Sequence, residues 1–172
     1  MRVSRFFAAT AVPILVAGCA VPLAAPAAPS SVARTASPYA SSESRIFDLI
    51  NAERTRRGLR PLIYNAQLDR MAKIQATNMA RFQKMAHVLP DAQLPTLSDR
   101  AHYVGYGYGE IAENVALGFP SAESVVQGWM NSAGHRRNIL DSGVVETGIG
   151  IARSASGGIY YAQVFGRQLT SL

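Results

Sequence analysis

The chain has 172 residues, 48% hydrophobic and 16% charged, which suits one domain with an attached segment and is too apolar for disorder throughout. Its net charge of +6 comes from 17 Lys and Arg against 11 Asp and Glu, and the basic residues are spread along the chain, which argues against a nucleic-acid partner. A single cysteine, Cys19, excludes an intramolecular disulfide and any cysteine-built zinc cage.

At the start, Arg2 and Arg5 precede an uncharged apolar run from Phe6 to Val16 that Pro13 interrupts. A charged stretch followed by a short apolar one is the pattern of a secretory signal, too short to span a hydrocarbon core of about 30 Å comfortably. The run ends in Val16-Ala17-Gly18-Cys19. Small residues before a cysteine at this place resemble the lipobox of bacterial lipoproteins. The resemblance implies a signal over 1–18, cleavage before Cys19, and lipid on Cys19 that places the protein at the cell envelope, outside the cytoplasm. The alternative is an ordinary signal peptide with an incidental cysteine. Cleavage would remove Arg2 and Arg5 and lower the charge from +6 to +4.

Residues 19–42 are rich in Ala, Pro and Ser, with Pro22, Pro26, Pro29 and Pro38. Such a stretch buries too little surface to offset its conformational entropy and reads as a tether. The folded domain is then expected over 43–172, long enough for one core without disulfides.

Within it, Ile46, Leu49 and Ile50 at i, i+3, i+4 spacing predict a helix over 43–57, stopped at Gly58. Leu68, Met71, Ala72, Ala76, Met79 and Ala80 predict a second over 65–84, with Asn65 as N-cap. Residues 85–118 show no clear period. There Tyr103, Tyr106 and Tyr108 alternate with glycines, and the expectation is a loop whose tyrosines cover the core. Ala122, Val125, Val126, Trp129 and Met130 predict a helix over 121–131 capped by Ser121, with Trp129 in the core. The tail changes to a two-residue period over 146–152 and 158–165, around the turn Ser154 to Gly158, which predicts an antiparallel hairpin. Helices first and strands last point to an α+β fold with an antiparallel sheet.

Spacing gives little chemistry. The histidines His87, His102 and His135 form no i, i+4 pair, and there is neither a Walker glycine loop nor an H-E-x-x-H helix. Ser132, His135 and Glu113 can be assembled into a serine-hydrolase set, yet Ser132 sits in Asn-Ser-Ala-Gly-His and not in G-x-S-x-G.

Larger motifs carry more. Glu113-Asn114-Val115-Ala116, and the run from Ala122 through Gly128-Trp129-Met130-Asn131-Ser132-Ala133-Gly134-His135-Arg136-Arg137-Asn138-Ile139-Leu140, resemble the bacterial branch of the CAP superfamily of cysteine-rich secretory, antigen and pathogenesis-related (SCP-like) proteins. Leu49-Ile50-Asn51-Ala52-Glu53-Arg54 with Gly58-Leu59-Arg60-Pro61-Leu62 is similar to the opening of that fold, and Glu146 to Ala152 and Tyr161 to Gly166 to its closing strands. The resemblance implies a three-layer α-β-α sandwich around a central antiparallel sheet, with a cleft lined by two histidines and acidic residues. By position His87 and His135 match the cleft histidines. Glu113 matches the acid of a Gly-Glu-Asn motif in which Ala112 replaces the glycine, and Ser132 stands where a second acid is expected. Two imidazoles and one carboxylate would suit either a divalent metal such as zinc, with an open position, or a hydrogen-bonded network. Glu146 is expected to face the same region, and His102 to lie outside it. Arg136 and Arg137 read as a solvated pair at a helix end, open to an anionic lipid. The function implied is binding of a lipid or cell-envelope ligand by a membrane-anchored module. The alternative is a metal-assisted or serine-type hydrolase of peptide or envelope material. No catalytic residue is identified by either route.

Overall fold

A computed structural model describes residues 37–169, which fall within one compact unit, Ala36–Leu172. The expected signal over 1–18, the lipidation of Cys19 and most of the tether lie outside the described residues.

Helix α1 spans Ala40–Thr55, starting three residues before the expected boundary, and buries Ile46 and Ile50. Past its end Gly58 adopts a φ of 73°, a left-handed turn that glycine accepts without steric cost. Strand β1 is two residues, Ile63–Tyr64. Helix α2, Ala66–Phe82, begins as expected at Asn65, whose side chain accepts from the Gln67 and Leu68 amides. All six residues of its apolar stripe are buried.

Where the tyrosine-rich stretch read as a loop, the chain instead builds helix α3, Leu97–Val104, and strand β2, Tyr108–Leu117. A capping box between Thr96 and Asp99 starts α3, and Gly105 at φ 71° stops it. Of the three tyrosines Tyr106 is buried in the core and Tyr108, at the start of β2, packs against it as expected; Tyr103 is exposed on α3 beside Arg70. Helix α4, Ala122–Asn131, has Ser121 in a capping box and Trp129 only 1% exposed. Helix α5, Ala133–Leu140, follows directly and buries only Ile139, so it offers no apolar stripe to read. Strands β3, Glu146–Arg153, and β4, Ile159–Gln168, form the expected hairpin.

The sheet order is β1-β3-β4-β2. Its three long strands are antiparallel, but β1 runs parallel to β3 at Ile63↔Glu146 and Tyr64↔Thr147, so the sheet is mixed and not purely antiparallel. The physical reason is the long connection between them, through α2, α3, β2, α4 and α5, which brings the chain back to start β3 at the same end as β1. Two cores flank the sheet. Helices α1, α4 and α5 pack with Ile149, Ile151, Tyr161 and Phe165 on one face, and α2 and α3 pack with Val115, Tyr160, Ala162 and Val164 on the other. This is the expected α+β three-layer α-β-α sandwich. On the second face Gly148 and Gly150 let α2 lie directly on β3, since a Cβ at either would overlap the α2 backbone at Leu68–Asp69 or Ala72–Lys73.

Candidate functional site

Strand β2 is a sheet edge, and the alternation of its side chains splits the site between the two layers. Glu113 and Val115 face α2 and α3, whereas Asn114 and Ala116 face α4 and α5. His87 leaves the loop after α2 and places Nδ1 3.0 Å from Glu113 Oε1. The other carboxylate oxygen accepts from the Arg100 guanidinium at 2.6 Å. Arg100 and Glu113 are dry, at 0% and 3% side-chain exposure, while the His87 side chain is 56% exposed. Arg100 also donates to Gln75 Oε1 at 2.7 Å, and Gln75 Nε2 donates to Ala86 O at 2.5 Å. The α2 helix thereby fixes the loop that carries His87.

His135 comes from the opposite layer, on α5. Asn114 Nδ2 donates to its backbone carbonyl at 3.2 Å, and Asn138 Nδ2 donates to Asn114 Oδ1 at 2.9 Å and to Glu113 O at 3.3 Å. Trp129 Nε1 donates to Val115 O at 3.3 Å. Two of these bonds satisfy outward-facing carbonyls of the β2 edge, Glu113 O and Val115 O, which would otherwise be buried without partners. Asn114 and Asn138 thus serve backbone order and hold α5 against the strand.

The two imidazoles differ electrostatically. The hydrogen bond to Glu113 raises the His87 pKa against the opposing effect of burial. Burial lowers that of His135, and the nearness of His87 adds to the drop. Burial pulls the Arg100 pKa down and Glu113 pulls it back. Beside the rings lies an open hollow of about 380 Å³, walled by Val115, Leu117, Phe119 and Trp129, with Ser132 and His135 as polar groups.

The expected residues therefore meet as follows. His87 bonds to Glu113, His135 lies near His87, and Ser132 shares the hollow with His135. Among the described residues no hydrogen bond joins Ser132 to His135, so the serine-hydrolase set has no assembled nucleophile and base. Glu146 does not join His87 and Glu113: it accepts from Asn65 at 2.9 Å and Tyr106 at 2.7 Å, at the start of β3, which β4 separates from β2. Helix α3 carries His102, exposed, and Arg136 and Arg137 are on α5, with Arg136 donating to Met130 O.

A zinc ion held by His87, Glu113 and His135 would share the Glu113 carboxylate with partners already on each oxygen, one of them a buried guanidinium that would oppose a second cation. Among the described residues no three His, Cys, Asp or Glu side chains form a metal-ligand group. The donor set does not fit a three-ligand zinc centre. Arg100 and Gln75, which decide this, carry no motif; the only available signal was the Thr96–Asp99 capping box, which marks the helix on which Arg100 sits.

Comparison with known proteins agrees with the fold. The family model described as the cysteine-rich secretory protein family, CAP, matches residues 47–165. The uncharacterized protein YkwD of Bacillus subtilis is 34% identical over 140 residues, which are 81% of this chain and 50% of that protein. The crystal structure of an extracellular protein containing a SCP domain from Bacillus anthracis is 30% identical, with a TM-score of 0.67 over 74% of this chain and 41% of that one. An outer surface protein of Borrelia burgdorferi shares the fold at 19% identity, with a TM-score of 0.70 over 76% of this chain and 96% of that one. The chain thus spans half or less of the length of the two Bacillus relatives.

Proposed function

This chain belongs to the cysteine-rich secretory protein family, CAP, and from that premise we propose that it is an extracytoplasmic, lipid-anchored module that binds an apolar lipid or cell-envelope ligand in the cleft beside β2. The observation that carries the reading is the hollow: an apolar wall of Val115, Leu117, Phe119 and Trp129 meets a few polar groups, Ser132 and His135. Apolar walls with sparse, directed polar groups suit ligand capture. The bonded set His87–Glu113–Arg100 holds a carboxylate in place and presents one imidazole to solvent. No activated nucleophile stands beside it among the described residues, so binding is favoured over hydrolysis.

Export is supported by the signal pattern before Cys19 and by the extracellular relative from Bacillus anthracis. Among the described residues no helix is long and apolar enough to cross a membrane. An acyl anchor on Cys19 would hold the domain at the surface through its buried methylenes. The membrane is then one partner and the cleft ligand the other.

Native mass spectrometry of the chain from residue 19, purified from its own envelope extract, tests the cleft. A non-covalent ligand is expected, and Ser132→Trp, which fills the hollow, should displace it. A parent that travels alone, or a ligand retained by Ser132→Trp, overturns the reading. For the anchor, Cys19→Ser should let high salt strip the protein from membranes that keep the parent. A processed Cys19→Ser protein as resistant as the parent would refute lipidation.

A further inference from the structure

We propose that the end of the domain at the mouth of the hollow docks on an anionic lipid bilayer, with Met85, Val88 and Leu117 entering the interfacial layer and Arg81, Lys84 and Arg153 meeting headgroups. The proposal builds on the lipid-binding reading of the cleft, but it stands on a different set of groups.

Strand register brings these residues to one end. Strand β2 finishes at Leu117, opposite Tyr160, and β3 finishes at Arg153, opposite Ile159. The β3–β4 turn is tied to the end of α2 by a hydrogen bond from Ser156 Oγ to Gln83 Oε1 at 2.6 Å. That bond brings Arg81, Lys84 and Met85 alongside. Met85 and Leu117 both line the hollow, and Val88 follows His87, whose ring reaches Glu113.

Two features here suit a bilayer. Met85, Val88 and Leu117 are 50%, 50% and 41% exposed, a large apolar exposure for side chains that flank a binding cleft. Around them Arg81, Lys84 and Arg153 are exposed cations. Toward the other end of the sheet charges of both signs meet, Asp69 with Lys73 at 2.9 Å and Glu110 with Arg167 at 3.8 Å. The exposed acid of the docking loop is Asp91, three residues past Val88. The acid nearest the docking end on α4, Glu123, is already paired with Arg45 at 2.8 Å. A cationic rim around an apolar centre complements an anionic headgroup layer over hydrocarbon. Charge alone would serve an acidic polymer equally well; the exposed apolar trio is what favours a bilayer.

A bilayer seated at this end would meet the mouth of the hollow, and an apolar ligand could pass between them without crossing water.

Binding to vesicles tests the proposal. The chain from residue 19 with Cys19→Ser contains the whole compact unit and carries no acyl anchor. It is expected to bind phosphatidylcholine vesicles that contain phosphatidylglycerol, to bind pure phosphatidylcholine at least about tenfold more weakly, and to be released by salt. Combining Arg81→Glu, Lys84→Glu and Arg153→Glu should weaken binding to the anionic vesicles by about tenfold or more. Combining Met85→Ser, Val88→Ser and Leu117→Ser should also weaken it severalfold. A control pair at the far end, Ile63→Ser with Val145→Ser, should not change it. All of these positions are exposed, and circular dichroism would confirm that each variant is folded. Equal binding to both vesicle types, an unaffected charge variant, or an equal loss in the control pair overturns the proposal. Full binding by the apolar variant also overturns it, because the surface would then read charge alone, as for an acidic polymer. Failure of the cleft reading remains distinguishable. The charge variant touches no residue of the hollow and should still carry its ligand in native mass spectrometry. Vesicle binding by a parent whose hollow is empty would leave docking intact and refute only the cleft reading.

Discussion

The two edges of the sheet each carry a buried carboxylate and a cation, and they differ in water. At the β3 edge, Glu43 of α1 lies 3.3 Å from Lys73 of α2, which also holds Asp69 at 2.9 Å, and the Lys73 side chain is 39% exposed. At the β2 edge, Glu113 lies 2.6 Å from Arg100, and neither side chain reaches solvent to more than 3%. A wet pair exchanges partners with water at little cost. A dry pair must be satisfied by fixed neighbours, which is why Gln75 and His87 are drawn into the second cluster. The hydrated edge closes the gap between two helices. The dry edge fixes one carboxylate in a defined place, and the candidate site is built around it.

Removing one member from each pair should widen that contrast. Arg100→Met leaves Glu113 buried without its counter-ion and is expected to cost about 3–5 kcal/mol. Lys73→Met should cost at most about 1 kcal/mol, because water and the exposed position compensate. Urea denaturation of both variants measures the difference, and similar losses would erase the distinction between the edges. Trp129→Ala tests the wall of the dry edge. It empties an aromatic site and removes the donor to Val115 O, for an expected loss of about 3–5 kcal/mol. A loss below about 1 kcal/mol would mean that α4 does not seal β2.

Zinc sharpens the comparison further. Calorimetry on the parent and on Glu113→Gln should give affinities within about twofold of each other, because Arg100 and His87 already occupy the carboxylate. A loss of about tenfold in Glu113→Gln would place that carboxylate in a metal's coordination shell. The smallest effect is a titration. By NMR, His87 should titrate above the ordinary histidine value of 6.5 and His135 below it. The signs are opposite. The pairing of His87 stabilises the fold below pH 6.5, and that stabilisation fades as pH rises through its raised folded pKa. Burial of neutral His135 favours the fold above 6.5, and that contribution is lost as pH falls through its lowered pKa. Glu113→Gln should return His87 toward 6.5, and an unmoved His87 would deny the bond between them.

Legibility in the sequence followed burial geometry. Helices α1, α2 and α4 each bury one stripe and carry a cap or a glycine stop, so their period was plain. The β3–β4 hairpin alternated around a glycine turn. Helix α5 buries one residue, and β1 is two residues long, so neither leaves a pattern. Strand β2 interleaves Glu113 and Asn114 with its apolar residues, and helix α3 contributes few apolar positions beside a run of tyrosines and glycines, so both were hidden.

By itself the sequence determined three helices, the closing hairpin and the buried Trp129, and motif resemblance added the three-layer sandwich and pointed to His87 and Glu113, which the structure joins. Periodicity and caps are local, and they survive without knowledge of the fold. Tertiary structure alone decided the rest. It paired Glu113 with Arg100, 13 residues away, and drew in Gln75, 25 residues from Arg100, because a desolvated charge takes whichever partners the packing delivers. It also gave Glu146 to Asn65 and Tyr106 and set β1 parallel, since strand register is a relation between segments that neither segment specifies alone.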